Sequence, residues 1–102
     1  MTDAQALFVA CLPDVFCDID YAIRAHSFSQ RMAAVSPQFA RDAIGIASTH
    51  GFVETNDAGN ARLASDLQSE RDALTESEGF AELAQAELAD LLVQRSRSSS
   101  GT

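Results

Sequence analysis

Two aspartates, a tyrosine and a histidine lie close together early in the chain, and these residue types often carry acid–base chemistry. They are Asp18, Asp20, Tyr21 and His26. Paired carboxylates act as acid and base when their environments hold their pKa values apart. On a helix, however, Asp18 and Asp20 would face different ways, and a histidine near a helix end is favoured there by the helix dipole. The spacing therefore predicts helix capping and solvation at these positions, and no catalytic residue.

Two cysteines, Cys11 and Cys17, are the other reactive side chains. On one helix they would point in different directions and stand too far apart for a disulfide. Neither belongs to a Cys-x-x-Cys or Cys/His spacing that holds zinc. The chain also contains no P-loop, Gly-x-Gly-x-x-Gly, Gly-x-Ser-x-Gly or His-Glu-x-x-His sequence. We therefore expect buried thiols, no metal, no cofactor and no enzymatic activity.

The clearest helix start and stop signals fall within residues 27–55. Ser36-Pro37 is a start, because a serine hydroxyl accepts hydrogen bonds from free amides and proline suits the first helical position. His50-Gly51 is a stop, because glycine adopts the left-handed conformation that ends many helices. A helix with a broad apolar face is therefore predicted between these two signals.

Shorter elements are predicted on either side of this helix. Ser27 can cap a helix from Phe28 to Val35, with Met32 at core spacing. Residues 52–55 are typical of a strand, and residues 56–60 of a turn. The order of short helix, tight link, second helix, glycine, strand and turn resembles that of the winged helix-turn-helix proteins.

This resemblance implies a DNA-binding surface on the second helix and the turn. Gln38 and Arg41, near the start of that helix, would contact bases in the major groove, and the 52–60 turn would serve as the wing. A homodimer through the last helix would then be expected. Asp42 beside these residues and the absence of lysine count against DNA binding, because phosphates attract cations.

Apolar residues at helical spacing predict the elements around this central region. Residues 3–25 form the most apolar segment, in which Pro13 predicts a kink, or two helices that meet near Leu12. Residues 58–74 repeat at the same spacing. This periodicity favours a helix there over a second wing strand at 61–64.

A capping-box pattern predicts where the last helix begins. Thr75 would cap it and Glu78 would reach back to the cap, so that the helix runs from Glu76 to Gln94. Residues 95–102 have nothing to bury and are expected to be disordered. The predicted apolar face of this helix comprises Phe80, Leu83, Ala84, Leu88, Leu91 and Leu92.

Together these elements predict an all-α fold, a small bundle of four or five helices with room for a short, winged-helix-like β-hairpin near residues 52–63. We expect one domain over residues 1–94, which is long enough for a modest core, followed by the disordered tail. The chain has no basic N-terminal signal, and no apolar run approaches the roughly 20 residues needed to span a bilayer. A cytoplasmic location without membrane contact is therefore expected.

The net charge of −8 is concentrated in the second half, where residues 51–94 carry ten acidic residues and two arginines. Such a surface suits a basic protein partner better than phosphate. The first hypothesis is therefore a non-enzymatic protein–protein interaction module: an adaptor, an accessory subunit or an inhibitor. The alternative is a winged helix-turn-helix transcription regulator that binds DNA through Gln38 and Arg41. The predicted partner-binding residues are Asp66, Glu70, Glu82, Glu87 and Asp90.

Overall fold

The computed structural model describes residues 1–30 and 35–100, with side chains for residues 1–25 and 35–97. Over these residues the chain is mainly helical with one small antiparallel sheet, which confirms the predicted all-α class with a short hairpin. In chain order the elements are α1 (Asp3–Ala10), α2 (Ile19–Gln30), α3 (Pro37–Thr49), β1 (Val53–Thr55), β2 (Ala61–Leu63), α4 (Ser65–Glu78) and α5 (Ala81–Ser100).

The apolar N-terminal segment is divided between α1 and α2, with an irregular link between them. Thr2 caps α1, and its side chain and that of Gln5 exchange hydrogen bonds with each other's backbone amides. The helix ends before Pro13, as the alternative of two helices predicted. Its last carbonyl groups would lack partners, but Arg71 of α4 donates hydrogen bonds to the carbonyls of Ala10 and Leu12.

Helix α2 is longer than predicted. Asp18 caps it by accepting a hydrogen bond from the amide of Tyr21 at 2.8 Å, and the helix continues to Gln30. The prediction that Ser27 caps a new helix is therefore wrong, because residues 27–30 belong to α2. Residues 31–34 of that predicted helix lie outside the described residues, and Val35, its predicted last residue, is not helical.

Helix α3 begins and ends where the sequence predicts. The Ser36 hydroxyl accepts a hydrogen bond from the amide of Phe39 at 3.1 Å. At the other end Gly51 has a φ of 77°, and the amide of Phe52 donates to the carbonyl of Ala47 at 2.9 Å. This last bond, with a second from Gly51 to Ser48, forms the Schellman motif.

Residues 61–63 form a strand, so the prediction of a helix beginning at Ala58 is wrong. β2 pairs with β1 in antiparallel register, with Glu54 opposite Arg62. Ala61 and Leu63 point into the core while Arg62 is half-exposed, and this alternation of burial is the strand period. The opposite edge of β2 forms an isolated antiparallel bridge between Ala61 and Cys17.

The boundary between α4 and α5 differs from the capping-box prediction. Thr75 lies inside α4, where its hydroxyl donates to the carbonyl of Arg71 at 2.8 Å. Gly79, with a φ of 79°, ends α4 instead. α5 then continues past Gln94, the predicted end of the domain, and Ser96 is buried. Residues 101–102 of the predicted disordered tail lie outside the described residues.

The core lies between α1, α3, α5 and the sheet. α5 packs against both α1 and α4, and α1 also packs against α3. The Phe8 and Phe39 rings meet edge to face, with their centroids 6.1 Å apart. Over the described residues, no helix combines the length and apolar character needed to cross a membrane. The largest fully buried side chains are Phe8, Val9, Leu12, Leu63, Leu67, Leu88 and Leu92.

Candidate functional site

The part of the chain that precedes α4 runs in the order α1, Cys17 bridge, α2, α3, β1 and β2. Three helices precede a β-hairpin, and a short extended segment between the first two helices pairs with the second strand of that hairpin. In a helix-turn-helix the later of the two helices in the motif is the one that enters the major groove. This position is occupied here by α3.

One face of α3 is buried and the other is polar. Ala40, Ala43 and Ala47 are fully buried against the rest of the domain. Gln38 and Arg41, the two residues predicted to contact DNA, are both exposed near the start of the helix. The structure therefore leaves these two side chains without a role in the core.

Asp42 lies one helical turn after Gln38 on α3, and both are exposed. Its carboxylate accepts a hydrogen bond from the side-chain amide of Gln38 at 2.8 Å. Arg41 takes part in neither of the two ion pairs found among the described side chains. The exposed face of α3 thus carries the Gln38 amide, which is hydrogen-bonded to the Asp42 carboxylate, and Arg41, which belongs to neither of those ion pairs.

The hairpin turn is short and tightly hydrogen-bonded. The Asn56 side chain accepts hydrogen bonds from the amides of Ala58 at 3.1 Å and Asn60 at 3.0 Å. Gly59 adopts a φ of 81°, which glycine reaches without strain. Asp57 is the charged residue of this turn. The turn over residues 56–60 is therefore held by its own hydrogen bonds and carries no positively charged side chain.

Arg62 stabilises the hairpin. Its guanidinium donates to the carboxylate of Glu54 on the opposite strand at 2.8 Å and lies 4.4 Å from the centre of the Phe16 ring. The hydrogen bond from Arg62 is the main cause of a lowered pKa for Glu54. Arg62 is thus held by protein groups and is not a free phosphate ligand.

A shallow groove of about 360 Å³ lies between the start of α2 and the wing. The exposed side chains of Tyr21 and Arg24 line it, together with buried Cys17. Burial, and secondly the nearby charge of Asp18, raises the pKa of the Cys17 thiol, so this thiol stays protonated at neutral pH. Both cysteines are buried, as expected, and they are not joined by a disulfide. The His26 side chain of the predicted acid–base cluster lies outside the described residues.

The predicted partner-binding residues do not form one uniform surface. Asp66, Glu82, Glu87 and Asp90 are exposed. Glu70 is half-buried, and Arg95 donates a hydrogen bond to its carboxylate at 2.6 Å. The negative charge of Glu70 is thus already paired within the protein.

Phe80 and Leu83, which were predicted on the apolar face of the last helix, are exposed at the corner between α4 and α5. Phe80 is 69 % exposed and Leu83 is 49 % exposed. Glu78, a residue not predicted to belong to a site, hydrogen-bonds with Glu87 beside them. This bond is the main cause of a raised pKa for Glu87. Gly79 is the sequence signal that could have revealed this corner, because a glycine that ends α4 places Phe80 in the link.

The charge is unevenly distributed between the two parts of the fold. Residues 15–64 extend from the link between α1 and α2 to the end of the hairpin. They carry five acidic residues and four arginines. Residues 65–102 carry eight acidic residues and three arginines. Residues 15–64 are therefore nearly neutral, and most of the negative charge lies on α4 and α5.

Comparison with protein-family models, curated proteins and solved structures finds no match to this chain. Its function must therefore be argued from its own residues.

Proposed function

We propose that the chain is a winged helix-turn-helix protein that binds duplex DNA through α3. The observation that carries this proposal is the placement of Gln38 and Arg41. Both are exposed near the capped start of a helix that follows α2 and precedes a hairpin. Neither side chain contributes to the core, whereas the other face of α3 is fully buried.

The chemistry of this face suits direct contact with bases. An arginine bonds the two acceptor atoms of guanine in the major groove, and a glutamine bonds adenine in a similar way. An aspartate accepts a hydrogen bond from the cytosine amino group. Gln38 is held by Asp42 in the free chain and would exchange this bond for bonds to DNA. A bound site would therefore include a G·C pair opposite Arg41.

The electrostatics predict binding that depends more on bases than on phosphates. Arg24 and Arg41 are exposed cations on α2 and α3, but Asp57 on the wing repels phosphate. Each phosphate contact contributes about −0.9 to the slope of log affinity against log salt concentration. With so few cations we expect a shallow slope of about −3 or less in magnitude.

The five acidic residues predicted to bind a partner give only weak support for a protein-docking function. Glu70 is paired with Arg95, so the five predicted residues do not act as one free acidic surface. Fold alone does not establish function. The exposed polar face of α3, with Gln38 and Arg41, favours binding to DNA over binding to a basic protein.

The test is selection of duplexes from a random library by the full chain, followed by fluorescence anisotropy on the selected sequence. Arg41→Ala should weaken binding by about tenfold or more, as expected for the loss of a base contact. Arg97→Ala is the matched control, because it removes the same charge from α5, and should change affinity less than about twofold. Selection of no sequence, or equal effects of the two substitutions, would refute the proposal.

A further inference from the structure

Two large apolar side chains, Phe80 and Leu83, are exposed at the corner between α4 and α5. Gly79 ends α4 with a left-handed φ of 79°, and Phe80 lies in the link that follows. Phe80, Ala81, Glu82 and Leu83 line an open cavity of about 430 Å³. Adjoining exposed apolar side chains of this size, with charged neighbours, are typical of a surface that binds a partner.

These side chains do not stabilise the core of the domain. In α5 the core positions are Ala84, Leu88 and Leu92, which are fully buried. Phe80 and Leu83 are largely exposed instead. Their exposure is therefore a property of the surface, and it needs an explanation other than packing within the chain.

The border of this apolar patch is negatively charged. Glu82 lines the cavity itself. Beside it, Glu78 and Glu87 come close enough to share a hydrogen bond, although two carboxylates in contact repel each other unless a proton lies between them. Neither described ion pair includes these glutamates. The charge at this corner is thus unbalanced within the described residues.

The arginines of α4 and α5 nearest in sequence are held elsewhere. Arg71 donates hydrogen bonds to carbonyl groups at the end of α1, and Arg95 pairs with Glu70. These two arginines therefore do not pair with the glutamates at this corner.

We infer that this corner docks a segment of a partner protein in which lysine or arginine flanks one large apolar side chain. The apolar side chain would enter the cavity beside Phe80 and Leu83, and the cations would meet Glu82 and the Glu78–Glu87 pair. A second copy of this chain fits poorly, because a symmetric contact places the same carboxylates opposite each other. The inference does not depend on DNA binding, because it rests on residues at the corner between α4 and α5 and not on α3.

Three synthetic peptides of equal length test this inference on the full chain. The probe alternates lysine and leucine, one control replaces leucine with serine, and the other replaces lysine with glutamate. We expect the lysine–leucine peptide to bind at low salt and the controls to bind at least about tenfold more weakly. Equal binding of the lysine–serine peptide would show simple charge attraction and overturn the inference.

Substitutions then locate the binding site. Phe80→Ser combined with Leu83→Ser should reduce affinity for the lysine–leucine peptide by about tenfold or more. Val15→Ser is the matched control, because Val15 is an exposed apolar side chain on the α1–α2 link, at 59 % exposure, and should change affinity less than about twofold. Equal effects of the two changes would overturn the inference.

Sedimentation and circular dichroism complete the test. The double variant should keep the helix content of the wild-type chain, because both positions are exposed. The wild-type chain should sediment with the same mass as the double variant. A wild-type dimer that the double variant abolishes would assign the corner to a second copy and refute the basic partner.

Discussion

Cys17 and Ala61 exchange two backbone hydrogen bonds, each 2.9 Å long. The two residues are 44 positions apart, so this contact connects the α1–α2 link to the hairpin. It also adds a third extended segment beside β2. The contact joins the hairpin, whose strands are only three residues long, to the segment that leads into α2.

Ala61→Pro tests this connection, because proline has no N–H to donate to Cys17. The carbonyl of Cys17 would lose its partner, which should lower the free energy of unfolding by about 1–3 kcal/mol. The measurement is urea denaturation followed by circular dichroism. Asp57→Pro is the control within the same hairpin, since proline suits the second position of a turn. A loss of stability equal to that of Ala61→Pro would show that the bridge is not the cause.

Gly51 offers a test of the end of α3. Its φ of 77° is strained for a residue with a side chain, although an added Cβ would meet no atom within 4 Å. Gly51→Val should therefore destabilise the fold by about 1–2 kcal/mol through the backbone alone. Gly51→Asn should cost clearly less, because asparagine tolerates this conformation. Thermal unfolding measures both, and equal losses would contradict the left-handed assignment.

The contact between Glu78 and Glu87 predicts a pH dependence of stability. The hydrogen bond with Glu78, and then the repulsion between the two, raises the pKa of Glu87. The folded state therefore holds this proton more tightly than the unfolded state. Its stabilising contribution is fully present below the unfolded pKa and is lost as pH rises through the folded pKa.

Glu87→Gln should consequently gain stability relative to the wild-type chain as pH rises through that window. The difference in melting temperature should then stay constant up to neutral pH. Glu82→Gln is the control, because it changes the same charge on α5 without the contact to Glu78. A difference between Glu87→Gln and wild type that does not change with pH would contradict the shared proton.

Asp42 is expected to limit the affinity of α3 for DNA. Asp42→Asn removes a negative charge near the phosphates and keeps an oxygen that can accept from Gln38. Affinity for the selected duplex should rise by roughly threefold. Asp90→Asn makes the same change on α5 and should leave the affinity unaltered. Anisotropy titrations at one salt concentration compare the three proteins. A weaker complex with Asp42→Asn would indicate that Asp42 itself contacts a base.

The buried thiols predict slow modification of the native chain. Both are buried, and the raised pKa of Cys17 reduces its thiolate fraction. Labelling by iodoacetamide, followed by mass spectrometry, should be much slower in buffer than in urea, because the thiolate is the reactive form. Rapid labelling of the folded chain at Cys17 would contradict this burial.

Helix ends that are determined by residues close in sequence could be predicted. Ser36 and Gly51 mark α3 because caps are made by residues within one turn. The strand at 61–63 was predicted only as the alternative to a helix, because Ala61 and Leu63 take their extended conformation from pairing with β1 and with distant Cys17. Three residues are too few for a clear alternation of period two.

The residues of the candidate sites likewise could be predicted only where the ends of their helix were predicted correctly. Gln38 and Arg41 could be selected because the start of α3 was clear, and both are exposed. The capping-box pattern at Thr75 predicted the wrong start for α5. Thr75 lies within α4, and the chain leaves that helix only at Gly79, which has the left-handed conformation. Phe80 and Leu83 were therefore placed on one apolar face of the last helix together with residues of the core, although both are exposed.

The contact between α1 and α5 has a consequence for how the chain folds. α1 contains eight residues, and a helix this short does not persist alone in water. The partner against which it packs most extensively, α5, begins after most of the chain has passed. Closing so long a loop carries an entropic penalty that must be met before the contact forms, and contacts of long sequence separation slow folding. The first helix in the sequence is therefore expected to be among the last to form, and its amides should gain protection late in a pulsed hydrogen-exchange experiment.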